Sequence, residues 1–216
     1  MYPDLTMLPR ADASLAAVEH LFNSRDEVLS VPPPNPHHEP QVEPAARRMA
    51  RSAAVLMLLC GEREPTLLLT ERSAALRYAG HQVFPGGLAD KGDVNARATM
   101  WREVREETGL QPRDVRLLGR LADYYTHSGY RIAAFIGAAS QPPALQLAAG
   151  EVASAHFVAL STFCDGASYR LRARSENPYR ANYYVPVADV VVTGPTLSLL
   201  IALYRGLLRT QGLPDA

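Results

Sequence analysis

Cysteine is nearly absent from this 216-residue chain, which carries only Cys60 and Cys164. The two lie far apart, and neither stands in a C-x-x-C or His-bearing spacing, so no disulfide framework and no zinc site is indicated. A reducing compartment is the default for such a chain. A surplus of one charge is missing too: 22 basic residues balance 22 acidic ones. No global field therefore steers the protein toward nucleic acid or an anionic membrane surface. Long apolar runs are lacking. Leu197 to Leu208 comes nearest, but it is short of the roughly 18 residues a span requires, and Ser198, Tyr204 and Arg205 interrupt it. The first residues do not show the basic start and apolar core of a signal peptide. The expectation is a soluble, cytoplasmic protein. Lysine is the rarest basic residue, with Lys91 alone. The remaining cations are guanidinium groups, whose planar fork suits phosphate. Two phosphate-binding loops are excluded, because neither G-x-x-x-x-G-K-[ST] nor G-x-G-x-x-G occurs.

What is present is enough for a substantial core, since 47% of the residues are hydrophobic. Asp12 to about Asn23 reads as a short amphipathic helix, with Asp12 as its cap and Leu15, Val18, Leu21 and Phe22 on one face. The run Val31-Pro32-Pro33-Pro34-Asn35-Pro36-His37-His38 forbids regular structure and reads as an extended connection. His37-His38 lacks any further ligand and is assigned no function. These features divide the chain into an N-terminal helix and Pro-rich arm over residues 1–50 and a main domain over 51–216. Strands are expected at Ala53 to Cys60 and Thr66 to Thr70, joined by the turn at Gly61 to Pro65. Others are expected at Val115 to Tyr125, Tyr130 to Gly137, Val152 to Leu160 and Asn182 to Val187. A last helix starts near Pro195, a favourable first-turn position, and ends before Gly212. Strands around one central acidic helix, with another helix at the end, describe an α+β fold layered as α/β/α.

The central helix, from about Val94 to Thr108, carries the chemistry. It spaces Glu103, Glu106 and Glu107 at i, i+3 and i+4, which places the three carboxylates on one face. Two unit charges about 5 Å apart repel by roughly 3 kcal/mol at an effective dielectric of about 20, so such a cluster is strained unless a cation joins it. A hard divalent ion takes carboxylate oxygens and keeps open positions for water and substrate phosphate. Gly86-Gly87 precedes the helix, where backbone can approach a ligand closely. Gly109 follows it as a left-handed cap. Arg102 stands beside the acidic face, able to hold Asp93 or Glu106 by charge-assisted bonds.

The segment Phe84-Pro85-Gly86-Gly87, Asp93 and Arg102-Glu103-Val104-Arg105-Glu106-Glu107-Thr108-Gly109-Leu110 resembles the Nudix box, G-x5-E-x7-R-E-U-x-E-E-x-G-U with U aliphatic. The second half is matched fully. In the first half the acidic residue is Asp93, and eight residues separate it from Arg102. That variation resembles the coenzyme A pyrophosphatase branch. So does the upstream series Leu68-Leu69-Thr70-Glu71-Arg72-Ser73, Arg77, Gly80 and Phe84-Pro85-Gly86-Gly87, one residue short between Arg77 and Gly80. Tyr125-Thr126-His127-Ser128-Gly129-Tyr130 and Gly150-Glu151-Val152-Ala153 resemble two further elements of that branch. At Val192-Thr193-Gly194-Pro195-Thr196-Leu197 the chain keeps glycine and threonine of the branch's last-helix segment and lacks its tryptophan.

The resemblance implies a Nudix-type α/β/α sandwich with a mixed sheet, and hydrolysis of a pyrophosphate bond in a nucleoside diphosphate linked to another group. Coenzyme A, cleaved to 3',5'-ADP and 4'-phosphopantetheine, is the first expectation. ADP-ribose or another nucleotide-sugar or dinucleotide substrate is the second, and a nucleotide-sensing domain without hydrolysis is the third. Mg2+ or Mn2+ on Glu103, Glu106 and Glu107 would neutralise phosphate oxygens and activate water. Arg102 belongs to the same catalytic set, and Glu103 and Glu151 compete for the role of base. Substrate contacts fall to Arg72 and Arg77, to Gly86 and Gly87, and to Tyr125 with its neighbours Tyr124 and Tyr130. The partner expected is a small nucleotide, with no nucleic acid or membrane, in a possible homodimer by family analogy.

Overall fold

The computed structural model describes residues 4–23, 28–29, 44–126, 128–174 and 177–215; the proline-rich run with His37-His38, and His127, lie outside them. In chain order the helices are α1 (Leu15–Asn23), α2 (Pro44–Arg48), α3 (Ala96–Thr108) and α4 (Gly194–Thr210). The strands are β1 (Val28–Leu29), β2 (Arg51–Cys60), β3 (Thr66–Arg72), β4 (Gln82–Val83), β5 (Gly86–Leu88) and β6 (Arg116–Leu121), followed by β7 (Tyr124–Tyr125), β8 (Tyr130–Ala139), β9 (Val152–Ala159), β10 (Arg170–Arg174), β11 (Asn177–Val187) and β12 (Val190–Thr193).

The two-residue period of β2 fixes the layering. Ala54, Leu56, Leu58 and Cys60 turn to one face of the sheet, where they meet Met100 and Val104 of α3. Met57 and Leu59 turn to the other, where they join α1, α4 and Tyr183, Val185 and Val192 of the β10–β12 sheet. A strand buried on both faces reads as a continuous apolar run, which Ala53 to Cys60 does. Its neighbours are equally mixed. β8 runs parallel to β2 from Arg51↔Tyr130 to Cys60↔Ala139, while β3 and β5 pair antiparallel with the opposite edge of β2. The main sheet orders β1-β6-β8-β2-β3-β4, with β7 added to β8 and β9 to β3. The mixed sheet between helices is the α+β architecture expected.

The N-terminal segment is stitched into the second face. Leu5, Leu8, Leu15, Val18, Leu21 and Phe22 are buried against α4 and the sheet. Hydrogen bonds tie it down: Ala11 N–H donates to Cys164 C=O at 2.9 Å, Asp12 N–H to Gln211 Oε1 at 2.8 Å, and the Tyr204 hydroxyl to Pro9 C=O at 2.5 Å. The cap of α1 is Ser14, whose Oγ accepts from Ala17 N–H. Asp12, expected there, instead accepts from Ser14 N–H and shapes the turn before it.

Three local expectations change. The strand read from Val115 to Tyr125 is two strands, because Arg120 pairs with Asp123 at 2.7 Å across the break. Asn95 caps α3 through Ala98 N–H, so the helix starts at Ala96 and leaves Val94 outside. A separate three-stranded antiparallel sheet, β10-β11-β12, forms where only Asn182 to Val187 read as extended. Arg170-Leu171-Arg172-Ala173-Arg174 does alternate, but with only Leu171 and Ala173 as apolar positions it is too short and too weakly apolar to stand out.

No helix among the described residues is long and apolar enough to cross a membrane. Because the N-terminal segment fills the core on the α4 side, Leu5→Ala should destabilise the protein by roughly 2–5 kcal/mol in urea unfolding. Met7→Ala, at a side chain 81% exposed, should stay within about 0.5 kcal/mol of the parent.

Candidate active site

The site is assembled where β5 passes under α3. β5 pairs Gly86 with Val55 and Gly87 with Ala54 of β2. Gly86 adopts φ +141, and a Cβ there would lie 2.3 Å from Ala54 C=O. No other residue fits so close an approach. A Cβ on Gly87 would lie 2.5 Å from the Glu103 carboxylate, which therefore rests flat against the glycine backbone. The Gly-Gly pair lets the sheet edge and the acidic helix touch.

α3 turns its stripe of Thr99, Met100, Val104, Glu107 and Thr108 into the protein. Gly109, in the left-handed conformation at φ 76, returns its N–H to Arg105 C=O and ends the helix. The three glutamates thus sit at different depths. Glu107 is buried and accepts the Gly86 N–H at 2.8 Å; Glu103 is half-buried; Glu106 is exposed. Among the described residues no three acidic, His or Cys side chains already stand as a metal cage.

Arg102 links these acids to one another. Its guanidinium donates to Asp93 Oδ1 and Oδ2 at 3.2 and 2.9 Å, to Glu103 Oε1 at 2.8 Å, to Glu106 Oε2 at 3.1 Å and to the Leu88 carbonyl at 2.8 Å. One cation thereby joins Asp93 to one carboxylate oxygen each of Glu103 and Glu106. Sequence spacing offered Asp93 or Glu106 as its partner, and it takes both. Asp93 is held well below the ordinary carboxylate range by its hydrogen bonds from Arg102. Arg102 is correspondingly raised.

Burial acts the other way on the glutamates. It lifts Glu107 to about 7, against the opposing Gly86 N–H and with help from the charges of Glu103 and Glu151. Glu103 is raised as well, chiefly by burial, while Arg102 pulls it down. Glu151 arrives from a different element. The segment before β9 is pinned to the end of α3 by Gln146 N–H to Thr108 C=O and Ala148 N–H to Glu107 C=O. Glu151 N–H then donates to Ala148 C=O, and its own carbonyl accepts from Ser73 N–H. The exposed carboxylate of Glu151 finds no hydrogen-bond or ion-pair partner among the described residues, yet its charge is felt at Glu103 and Glu107.

Of the substrate-binding candidates, Gly86 and Gly87 touch this cluster, and Arg72 is the side chain whose charge acts on it. It lowers Glu107 electrostatically and donates Nε–H to Arg77 C=O at 3.2 Å. Arg77 itself turns aside and stacks on Tyr78, 4.8 Å from its ring centre. Tyr125 lies on β7, beyond β8 and β2 from the glycines, with Arg47 5.2 Å over its ring. Tyr124 is buried in the core and Tyr130 carries Arg51 above it at 5.8 Å. The Leu88 carbonyl that fixes Arg102 was invisible to sequence reasoning, because a backbone acceptor leaves no residue-type signal.

Glu107 sets a pH dependence. Its folded value near 7 exceeds the 4.5 of an ordinary glutamate, so the native state binds the extra proton between them and metal-free stability falls as pH rises through that window. Thermal melts of the metal-free protein from pH 4.5 to 8 should show this fall, and Glu107→Gln should flatten it. Asp93 has the opposite sign: its contribution is complete above the ordinary carboxylate range and is lost only on further acidification.

The Nudix domain model matches residues 50–181. The Nudix hydrolase NudL of Photorhabdus laumondii is 38% identical over 152 residues, covering 67% of this chain and 80% of that protein. NudL of Pectobacterium atrosepticum is 42% identical over 100 residues, 45% of this chain and 52% of its own length. Among solved structures, the Nudix hydrolase RenU of M. smegmatis superposes with a TM-score of 0.51 at 18% identity, over 76% of this chain and 88% of that one, a likeness of fold. With a glycine pair pressed against an acidic helix, and with matches that span most of the chain, this protein belongs to the Nudix hydrolase family.

Proposed function

We propose that the protein hydrolyses the pyrophosphate bond of coenzyme A or its derivatives, releasing 3',5'-ADP and 4'-phosphopantetheine, with Mg2+ or Mn2+ as cofactor. The observation that carries the reading is the set of hard oxygen donors gathered around Gly86-Gly87: Glu103 against Gly87, Glu107 on the Gly86 N–H, and Glu106 one turn away. This donor chemistry fits a hard divalent cation and no soft one. Such an ion, when bound, supplies charge neutralisation for the phosphate oxygens and acidifies water.

The chain's own groups do the rest. Glu103, Glu106 and Glu107 are the ligands in this reading, and Arg102 holds Glu103 and Glu106 until they are needed. Gly86 and Gly87 keep the floor of the site free of side chains, so a diphosphate can lie against backbone. Arg72 neutralises charge beside Glu107; Tyr125, farther along the sheet, is in this reading an outer contact, and Arg77, stacked on Tyr78, is not. Glu151 is the base: its carboxylate is exposed and unengaged among the described residues, whereas that of Glu103 is already bound by Arg102. A proton leaving the attacking water passes to Glu151. No covalent nucleophile is needed, because phosphoryl transfer asks mainly for alignment and charge stabilisation.

A product assay on coenzyme A with Mg2+ should yield the 3',5'-ADP and 4'-phosphopantetheine pair. Hydrolysis of ADP-ribose with coenzyme A untouched would instead support a nucleotide-sugar pyrophosphatase, and nucleotide binding without any hydrolysis a sensor. Glu106→Gln and Glu107→Gln should each lose at least roughly a hundredfold in kcat with the fold intact by circular dichroism. Glu151→Gln should lower kcat and leave metal affinity in place.

A further inference from the structure

Beyond the carboxylates, the same face of the sheet continues, beside Tyr125, into guanidinium side chains that the hydrolytic reading leaves unused. Face membership follows from strand period and register. Gly87 pairs with Ala54, which belongs to the α3-side core. Ser52 lies two residues earlier on β2 and so shares that face. Ser52 is aligned with Arg131 on β8, and Arg131 is two residues before Ala133 of the same core layer. Arg131 is cross-strand partner to Tyr125, which places both on this face. Tyr124, the next residue, turns into the opposite core.

The side chains confirm one continuous wall. Arg131 Nη2 donates to Ser52 Oγ at 2.8 Å, and Arg47 reaches from α2 to lie 5.2 Å over the Tyr125 ring. Ser52 C=O accepts from Ala89 N–H, next to the Leu88 carbonyl that anchors Arg102. The acid nearest to Arg131 is Asp123, 3.9 Å away, and Asp123 is more closely paired with Arg120 at 2.7 Å. Arg131 therefore keeps donors for another acceptor. From the Gly87 backbone to that of Arg131 is two strand spacings across and two residues along, roughly 12 Å.

Resting on the coenzyme A reading, we infer that Arg131, with Arg47 beside Tyr125, forms an anion subsite for a phosphate monoester carried on the ribose of the substrate in addition to the pyrophosphate. The Arg131 fork, with the positive charge of Arg47 and an aromatic ring beside it, matches a phosphorylated nucleoside: the fork takes the phosphate oxygens and the ring offers a stacking face. Arg77, one of the two arginines read from the sequence as substrate contacts, is stacked on Tyr78. The subsite makes the extra phosphate a determinant of selectivity rather than of rate.

The test uses the full chain and two ligands that differ by a single phosphate, 3',5'-ADP and 5'-AMP, titrated calorimetrically in the presence of Mg2+. The parent should bind 3',5'-ADP at least about tenfold more tightly. Arg131→Gln should erase that preference, mainly by weakening 3',5'-ADP, and Arg47→Gln, an exposed helix position, should reduce it. Arg131→Lys, with charge but no fork, should fall between. Equal affinities in the parent, or a preference that persists in both Gln variants, would overturn the subsite. Because this readout needs no turnover, it is separable from the hydrolytic reading, which fails on its own if coenzyme A yields no products.

Discussion

The guanidinium of Arg102 is the interaction on which the site depends. A helix that places Glu103, Glu106 and Glu107 within one turn concentrates negative charge on a small surface, and burial of Glu107 makes that charge more costly. Arg102 offsets this by joining Asp93, Glu103, Glu106 and the Leu88 carbonyl in one planar fork. Helix, preceding loop and sheet edge are thereby locked together. The pairs that are partly exposed contribute little individually, but a shared cation with a backbone anchor is a network rather than a set of surface bridges.

That network also sets the resting state of the protein. With the carboxylates occupied by Arg102 and by the Gly86 N–H, no preassembled cage exists among the described residues. Binding a cation in the proposed manner means exchanging one set of electrostatic partners for another and removing a proton from Glu107. If Glu107 is a ligand as proposed, the burial that raises it would also tie metal affinity to pH.

The framework around it is economical because one strand serves both layers. β2 gives Leu56 and Leu58 to α3 and Met57 and Leu59 to α1 and α4, so the sheet cannot shift toward one side without disturbing the other. β5 can approach that strand only through Gly86 and Gly87. Rigidity of the core is thus transmitted to the acidic helix through two residues that have no side chains. The long backbone ties from residues 9–12 to Cys164, Gln211 and Tyr204 hold the second layer in the same way.

Much of this was legible in the residues. The buried run of β2, the cap and stop of α3, the spacing of its glutamates and the glycine pair are local patterns, and local patterns are written in sequence because period and φ preference act within a turn or a strand. The hairpin β10–β11 was less legible, since β10 offers only Leu171 and Ala173 as apolar positions and its pairing partner lies in another segment. What tertiary structure alone decided is distance between remote segments: Glu151 brought to α3 by the Ala148–Glu107 bond, Arg72 turned to the cluster while Arg77 turned away, and Arg131 aligned with Tyr125 on the acidic face. Chain order carries no record of strand register, because register is set by how all the layers pack at once.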